Sequence, residues 1–91
     1  VTINQSVFRN ACEVSLSLYI EPEGALFMLP PGEEVVLRDH YSKMPMTLKY
    51  SHDSEGGPIL SIWPGDGELI VTKDGIDVLE LLSQDSVVPA S

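Results

Sequence analysis

The chain has 91 residues, 43% of them apolar and 21% charged, with a formal net charge of −9 from fourteen acids against five bases. That length holds one domain with one modest core, which buries about 60–65% of the surface an unfolded chain exposes. The acid excess argues against nucleic acid, whose phosphates need clustered Lys and Arg, and against anionic membrane surfaces.

Residues 1–10 fit either an edge strand or a short helical turn. From Cys12 to Glu21 the chain alternates. Cys12, Val14, Leu16, Leu18 and Ile20 share one side, and Glu13, Ser15, Ser17, Tyr19 and Glu21 the other. Period two marks a strand with one buried face, so a first strand is expected with Cys12 in the core. Pro22-Glu23-Gly24 breaks it. Ala25–Leu29 is a second strand, with Phe27 and Leu29 on one face and Leu26 and Met28 on the other. Apolar on both sides, it fits central burial or a dimer interface. Pro30-Pro31-Gly32-Glu33 predicts a type II turn centred on Pro31 and Gly32, and Glu34–Asp39 is a third, β-branched strand.

A connection over 40–45 ends at Pro45, and Met46, Leu48 and Tyr50 then alternate with Thr47, Lys49 and Ser51 as a fourth strand. Residues 52–57 are polar and glycine-rich and read as a mobile loop. Ile59–Trp63 is the fifth strand; Pro64-Gly65-Asp66-Gly67 turns the chain into a sixth, Glu68–Lys73. Asp74-Gly75 is a type I′ hairpin signal that sets Lys73 opposite Ile76, Val71 opposite Val78, Ile70 opposite Leu79 and Glu68 opposite Leu81. A three-residue loop would instead oppose Glu68 and Glu80, a like-charge pair, so the two-residue register is favoured. Residues 76–82 then form a seventh strand. A last helix over 76–85 is the competing reading, since Ile76, Leu79 and Leu82 fit helical spacing. Residues 83–91 read as a flexible tail.

The expected fold is all-β: a small antiparallel β-sandwich or roll of about seven short strands, with a meander in its second half. The whole chain, 1–91, is one domain whose core lies in 12–82.

Little in this sequence carries chemistry. Cys12, His40 and His52 are its only soft metal ligands, and no pair has a zinc-site spacing. Acids near glycines at Asp53, Glu55, Asp66, Glu68 and Asp74 lack the EF-hand pattern and are explained by turn chemistry. No serine sits in a nucleophile elbow, and no glycine cluster leads from a strand into a helix as a phosphate loop does. Neither catalytic residues nor a cofactor or metal is therefore assigned. A lone cysteine forms no internal disulfide, which favours a reducing cytoplasm. No apolar run reaches the ~20 residues of a membrane-spanning helix. The chain begins at Val1 without an initiator Met, which fits a processed or trimmed start.

Glu21-Pro22-x-Gly24, Leu29-Pro30-Pro31-Gly32-Glu33, Ile62-Trp63-Pro64-Gly65-Asp66-Gly67 and Asp74-Gly75 occur in this order. Together they resemble a group of small, uncharacterised bacterial all-β proteins built around "EPxG…LPPGE…W…DG", over roughly residues 12–80. Those proteins usually carry Trp where this chain has Glu23. The resemblance implies the all-β fold and a bacterial origin and names no activity.

The function expected is a small non-catalytic binding or interaction module that pairs with a protein partner or, as a homodimer, with itself through unpaired strand edges. Trp63, Asp66, Glu68, Tyr41 and Phe27 are the candidate interaction surface: aromatic anchors beside acidic turns. Two alternatives stand beside it. One is an acidic inhibitor or immunity-type protein engaging a basic partner. The other is a small-ligand or cupin-like pocket lined by Trp63, with no ligand the sequence identifies.

Overall fold

The computed structural model describes the backbone of residues 1–86 and side chains as far as Leu82. The elements run β1 (Thr2–Arg9), β2 (Leu16–Ile20), β3 (Ala25–Leu29), β4 (Glu34–Tyr41), β5 (Thr47–His52), β6 (Pro58–Trp63), β7 (Glu68–Lys73), β8 (Ile76–Asp77) and α1 (Val78–Ser86). They make two four-stranded sheets, β1-β4-β7-β8 and β3-β2-β6-β5. All pairings are antiparallel except β2 with β6, which is parallel. This is a small all-β sandwich.

Its core is what the strand alternation dictates. Leu16, Leu18 and Ile20 point inward from β2, Leu60 and Ile62 from β6, and Leu29 from β3. They meet Val35 and Leu37 of β4 and Val71 of β7 from the facing sheet. Such inner faces interdigitate across about 10 Å between sheets, so the buried layer belongs to both. Chain connections cross between the sheets four times, after β1, β3, β4 and β6. The second half is therefore not one meander: β5–β6 and β7–β8 are hairpins in different sheets.

Two turns form as their residues require. Glu33 N–H donates to Pro30 O at 3.2 Å across Pro31 and Gly32, whose glycine φ is +78°. That is the expected type II turn. Asp74 and Gly75 both take positive φ, 52° and 82°, and Lys73 pairs with Ile76. That is the expected type I′ hairpin. The loop after His52 is tied rather than open, since the Asp53 carboxylate accepts from the N–H groups of Glu55 and Gly57, each at 2.8 Å.

Further expectations need correction. The first predicted strand begins at Leu16, and Cys12 and Val14 are exposed instead of buried. The cause is Asn10, which is 1% exposed. Its Oδ1 accepts from Cys12 N–H at 2.9 Å, and its Nδ2 donates to Val14 O and Leu29 O, both at 2.9 Å. An Asn side chain satisfying nearby backbone groups favours a turn over a ladder. Asn10–Ser15 accordingly bends across from one sheet to the other, and residues 2–9 become an edge strand.

The seventh strand stops after Asp77, and the competing helix is the one that forms. Thr72 pairs with Asp77 in the predicted register, but the pairs Val71–Val78, Ile70–Leu79 and Glu68–Leu81 do not form. Asp77 Oδ1 accepts from Leu79 N–H at 2.8 Å, an N-cap that starts α1. Val78 is fully buried and Leu82, four residues on, packs against the core. The flexible tail predicted over 83–91 thus starts too early, since α1 runs to Ser86; residues 87–91 lie outside the described residues. Finally, of the two readings of Ala25–Leu29, central burial does not hold: β3 is an edge strand, with Phe27 turned to the core and Leu26 and Met28 to solvent.

Candidate binding site

One end of the sandwich is organised by Asp66, in the turn between β6 and β7. Its carboxylate accepts from the backbone N–H groups of Ser42, Lys43 and Met44 at 2.9, 2.8 and 3.1 Å, and its own N–H donates to Met44 O at 3.0 Å. Those N–H donors, from Ser42 first and then Lys43, hold its carboxyl below the usual carboxylate range. Asp39, buried at the inner face of β4, grips the same connection through Oδ2, which accepts from Met46 N–H at 2.8 Å. Its Oδ1 is buried without a hydrogen-bond partner among the described residues. Asp66 therefore fixes the β4–β5 crossing against the β6–β7 turn, and Asp39 ties that crossing back to β4.

The candidate surface residues are dispersed by this arrangement. Trp63 lies on the outer face of the β3-β2-β6-β5 sheet, 43% exposed and opposite Thr47. Phe27 is on the inner face of its strand and packs against the core. Asp66 spends its acceptors on backbone. Tyr41 ends β4, half-buried, where its hydroxyl lies 3.5 Å from Asn4 Nδ2. Glu68 opens β7 opposite His40. Tyr41, Asp66 and Glu68 are brought near one chain crossing, whereas Trp63 faces outward from the other sheet.

A different feature at that end was not foreseen. A cleft of about 180 Å³ opens between the β2–β3 turn, the β6–β7 turn and the first turn of α1. Its walls are apolar: Ile20, Pro22, Pro64, Leu69 and Leu79. Glu21 and Glu23 are its two acidic lining residues, and among the described residues no basic one lines it. Among the described residues neither glutamate has an ion-pair partner, the pairs being Arg9–Glu34, Lys73–Glu33 and Lys73–Asp74. The cleft exists because α1 replaces a seventh strand and brings Leu79 beside Leu69. Its signal in the sequence was Asp77-x-x-Glu80 ahead of Leu81 and Leu82, the N-cap pattern of a helix.

The other open feature is the edge of the first sheet. β1 runs eight residues along β4 and, among the described residues, has no strand on its far side. Ile3 and Val7 stand on its outer face, 60% and 59% exposed. The remaining edges are blunter. β8 is two residues long, β3 five, and β5 carries Lys49 in its middle. Short length and edge lysines are how sheets avoid adding strands, and β1 has neither.

No protein-family model, curated protein or solved structure matches the chain. Among the described residues no three His, Cys, Asp or Glu side chains gather as a metal-holding group, and no helix is long and apolar enough to cross a membrane.

Proposed function

We propose that this protein is a small, non-catalytic interaction module that works by strand addition at β1, and that its first partner is a second copy of itself. The observation that carries this reading is the free β1 edge: eight residues, without proline or lysine, bearing two exposed aliphatic side chains. An unpaired edge presents alternate N–H and C=O groups as a template for another strand.

A two-fold pair of β1 strands has few registers, because directly opposed residues must share a face. Centring on Gln5 sets Ile3 opposite the partner's Val7, and Val7 opposite the partner's Ile3. The outer face then gains two apolar cross-strand pairs flanking a Gln5–Gln5 contact. The next registers oppose Ile3 to glutamine or arginine and lose both pairs. The β1-β4-β7-β8 sheets of the two copies would join as one eight-stranded sheet. A reducing cytoplasm suits the exposed, unpaired thiol of Cys12.

The test is solution mass by light scattering over a wide concentration range, with reductant present to keep Cys12 from cross-linking. A mass rising to twice 9.9 kDa supports the reading. The Ile3→Lys/Val7→Lys double variant, which sets lysine against lysine at exposed positions, stays folded by circular dichroism and is monomeric. A wild-type protein that remains monomeric throughout, or a double variant that still dimerises, overturns it.

A further inference from the structure

We infer that the cleft between Pro22, Pro64 and Leu79 is a receptor for one long cationic side chain, lysine or arginine, presented by a partner polypeptide. Its volume, about 180 Å³, lies below the ~300–1,000 Å³ of pockets for drug-sized ligands and suits a single side chain. The five apolar walls call for a hydrocarbon stem. An apolar occupant would strip water from Glu21 and Glu23 and return nothing to them, at a real desolvation cost. An anion meets two unpaired carboxylates and a chain of net charge −9. A hard divalent cation needs six or more oxygen ligands, where the lining has two acidic residues among hydrocarbon.

Lysine and arginine join the two requirements, burying their methylene stem along apolar surface while the charged head reaches polar groups. The partner is a polypeptide with a basic surface because the whole chain's negative field attracts such a surface at long range, and the cleft then supplies one specific contact. The rest of the charge on this end agrees. Glu68 and Glu80 each adjoin a cleft residue in sequence, next to Leu69 and Leu79.

The experiment is an amide-resolved NMR titration of the full chain with a blocked Gly-Lys-Gly tripeptide. Controls are the same peptide with uncharged norleucine in place of lysine, and free cadaverine. The expected result is saturable shifts confined to Glu21, Glu23, Gly24, Gly67, Leu69 and Leu79, with at least tenfold weaker response to the norleucine peptide. A Glu21→Gln/Glu23→Gln variant, whose changed side chains make no hydrogen bond among the described residues, keeps its spectrum elsewhere and loses the response at least tenfold. Equal binding of the norleucine peptide, scattered shifts, or full binding by the double variant overturns the inference. Cadaverine binding more tightly than the peptide overturns the polypeptide assignment. The Ile3→Lys/Val7→Lys variant leaves this titration unchanged, so failure here and failure at β1 are separate results.

Discussion

Gly67 sits so close to His40 that a methyl group in place of its α-hydrogen would overlap the His40 carbonyl oxygen. Gly65 stands in the same relation to Met44. The turn between β6 and β7 thus lies against the β4–β5 crossing backbone to backbone, and Asp66 between the two glycines completes the contact. Gly67→Ala forces that backbone apart. The expected loss is about 1–3 kcal/mol, the usual range for overpacking, read from the midpoint of urea unfolding. Gly65→Ala should behave alike. An unchanged midpoint in both would mean the two segments separate freely.

Asp66 makes the same contact sensitive to acid. Its folded pKa is depressed below 3.8, so its contribution is fully present above the ordinary carboxylate pKa and is lost as pH falls through the folded value. Asp66→Asn should lower stability near neutral pH and make little difference in strong acid, where the wild-type carboxyl is itself protonated. Denaturant midpoints of both proteins across the acid range check this. Parallel curves would remove Asp66 from the account.

Asn10 holds the first crossing. Replacing it with alanine leaves Leu29 O, Val14 O and Cys12 N–H without their side-chain partner, the first of these in a buried setting. Loss of such buried bonds costs about 1–3 kcal/mol. Asn10→Asp should be no better, because a carboxylate cannot donate to either carbonyl. Equilibrium unfolding measures both.

Asp77 decides helix against strand at the end of the chain. Asp77→Ala removes the acceptor for Leu79 N–H and should cost about 1 kcal/mol, with loss of helical ellipticity. Val78→Ala empties a fully buried site and should cost about 2 kcal/mol. If Asp77→Ala raised strand content and stability together, the extended hairpin would be the better state.

Local rules were enough for much of this fold. Leu16, Leu18 and Ile20 announce a half-buried strand by alternation alone, and Pro31-Gly32 and Asp74-Gly75 name their turns, because φ preferences act within a few residues. Where local rules competed, sequence could not choose. Residues 76–82 satisfy both a hairpin and a helix, and the winner is the one that buries Val78 and Leu82 against the core. Cys12 and Val14 carry strand alternation as well, yet Asn10 needs the carbonyls of Val14 and Leu29, a partner distant in the chain, and bends them outward.

The sites show the same division. That Trp63 ends a strand beside an acidic turn was legible; that it faces away from Asp66's contacts depends on which sheet each strand joins. Pro22, Pro64 and Leu79 are far apart in the chain and meet only because two turns and the start of α1 reach the same end of the sandwich. The free edge at β1 likewise follows from strand order. The all-β class, most strand positions and the turn types are short-range consequences of side-chain period and backbone sterics, and the residues announce them. The edges, the helix and the cleft were out of reach of such rules, because each arises from packing between residues that the chain order keeps apart.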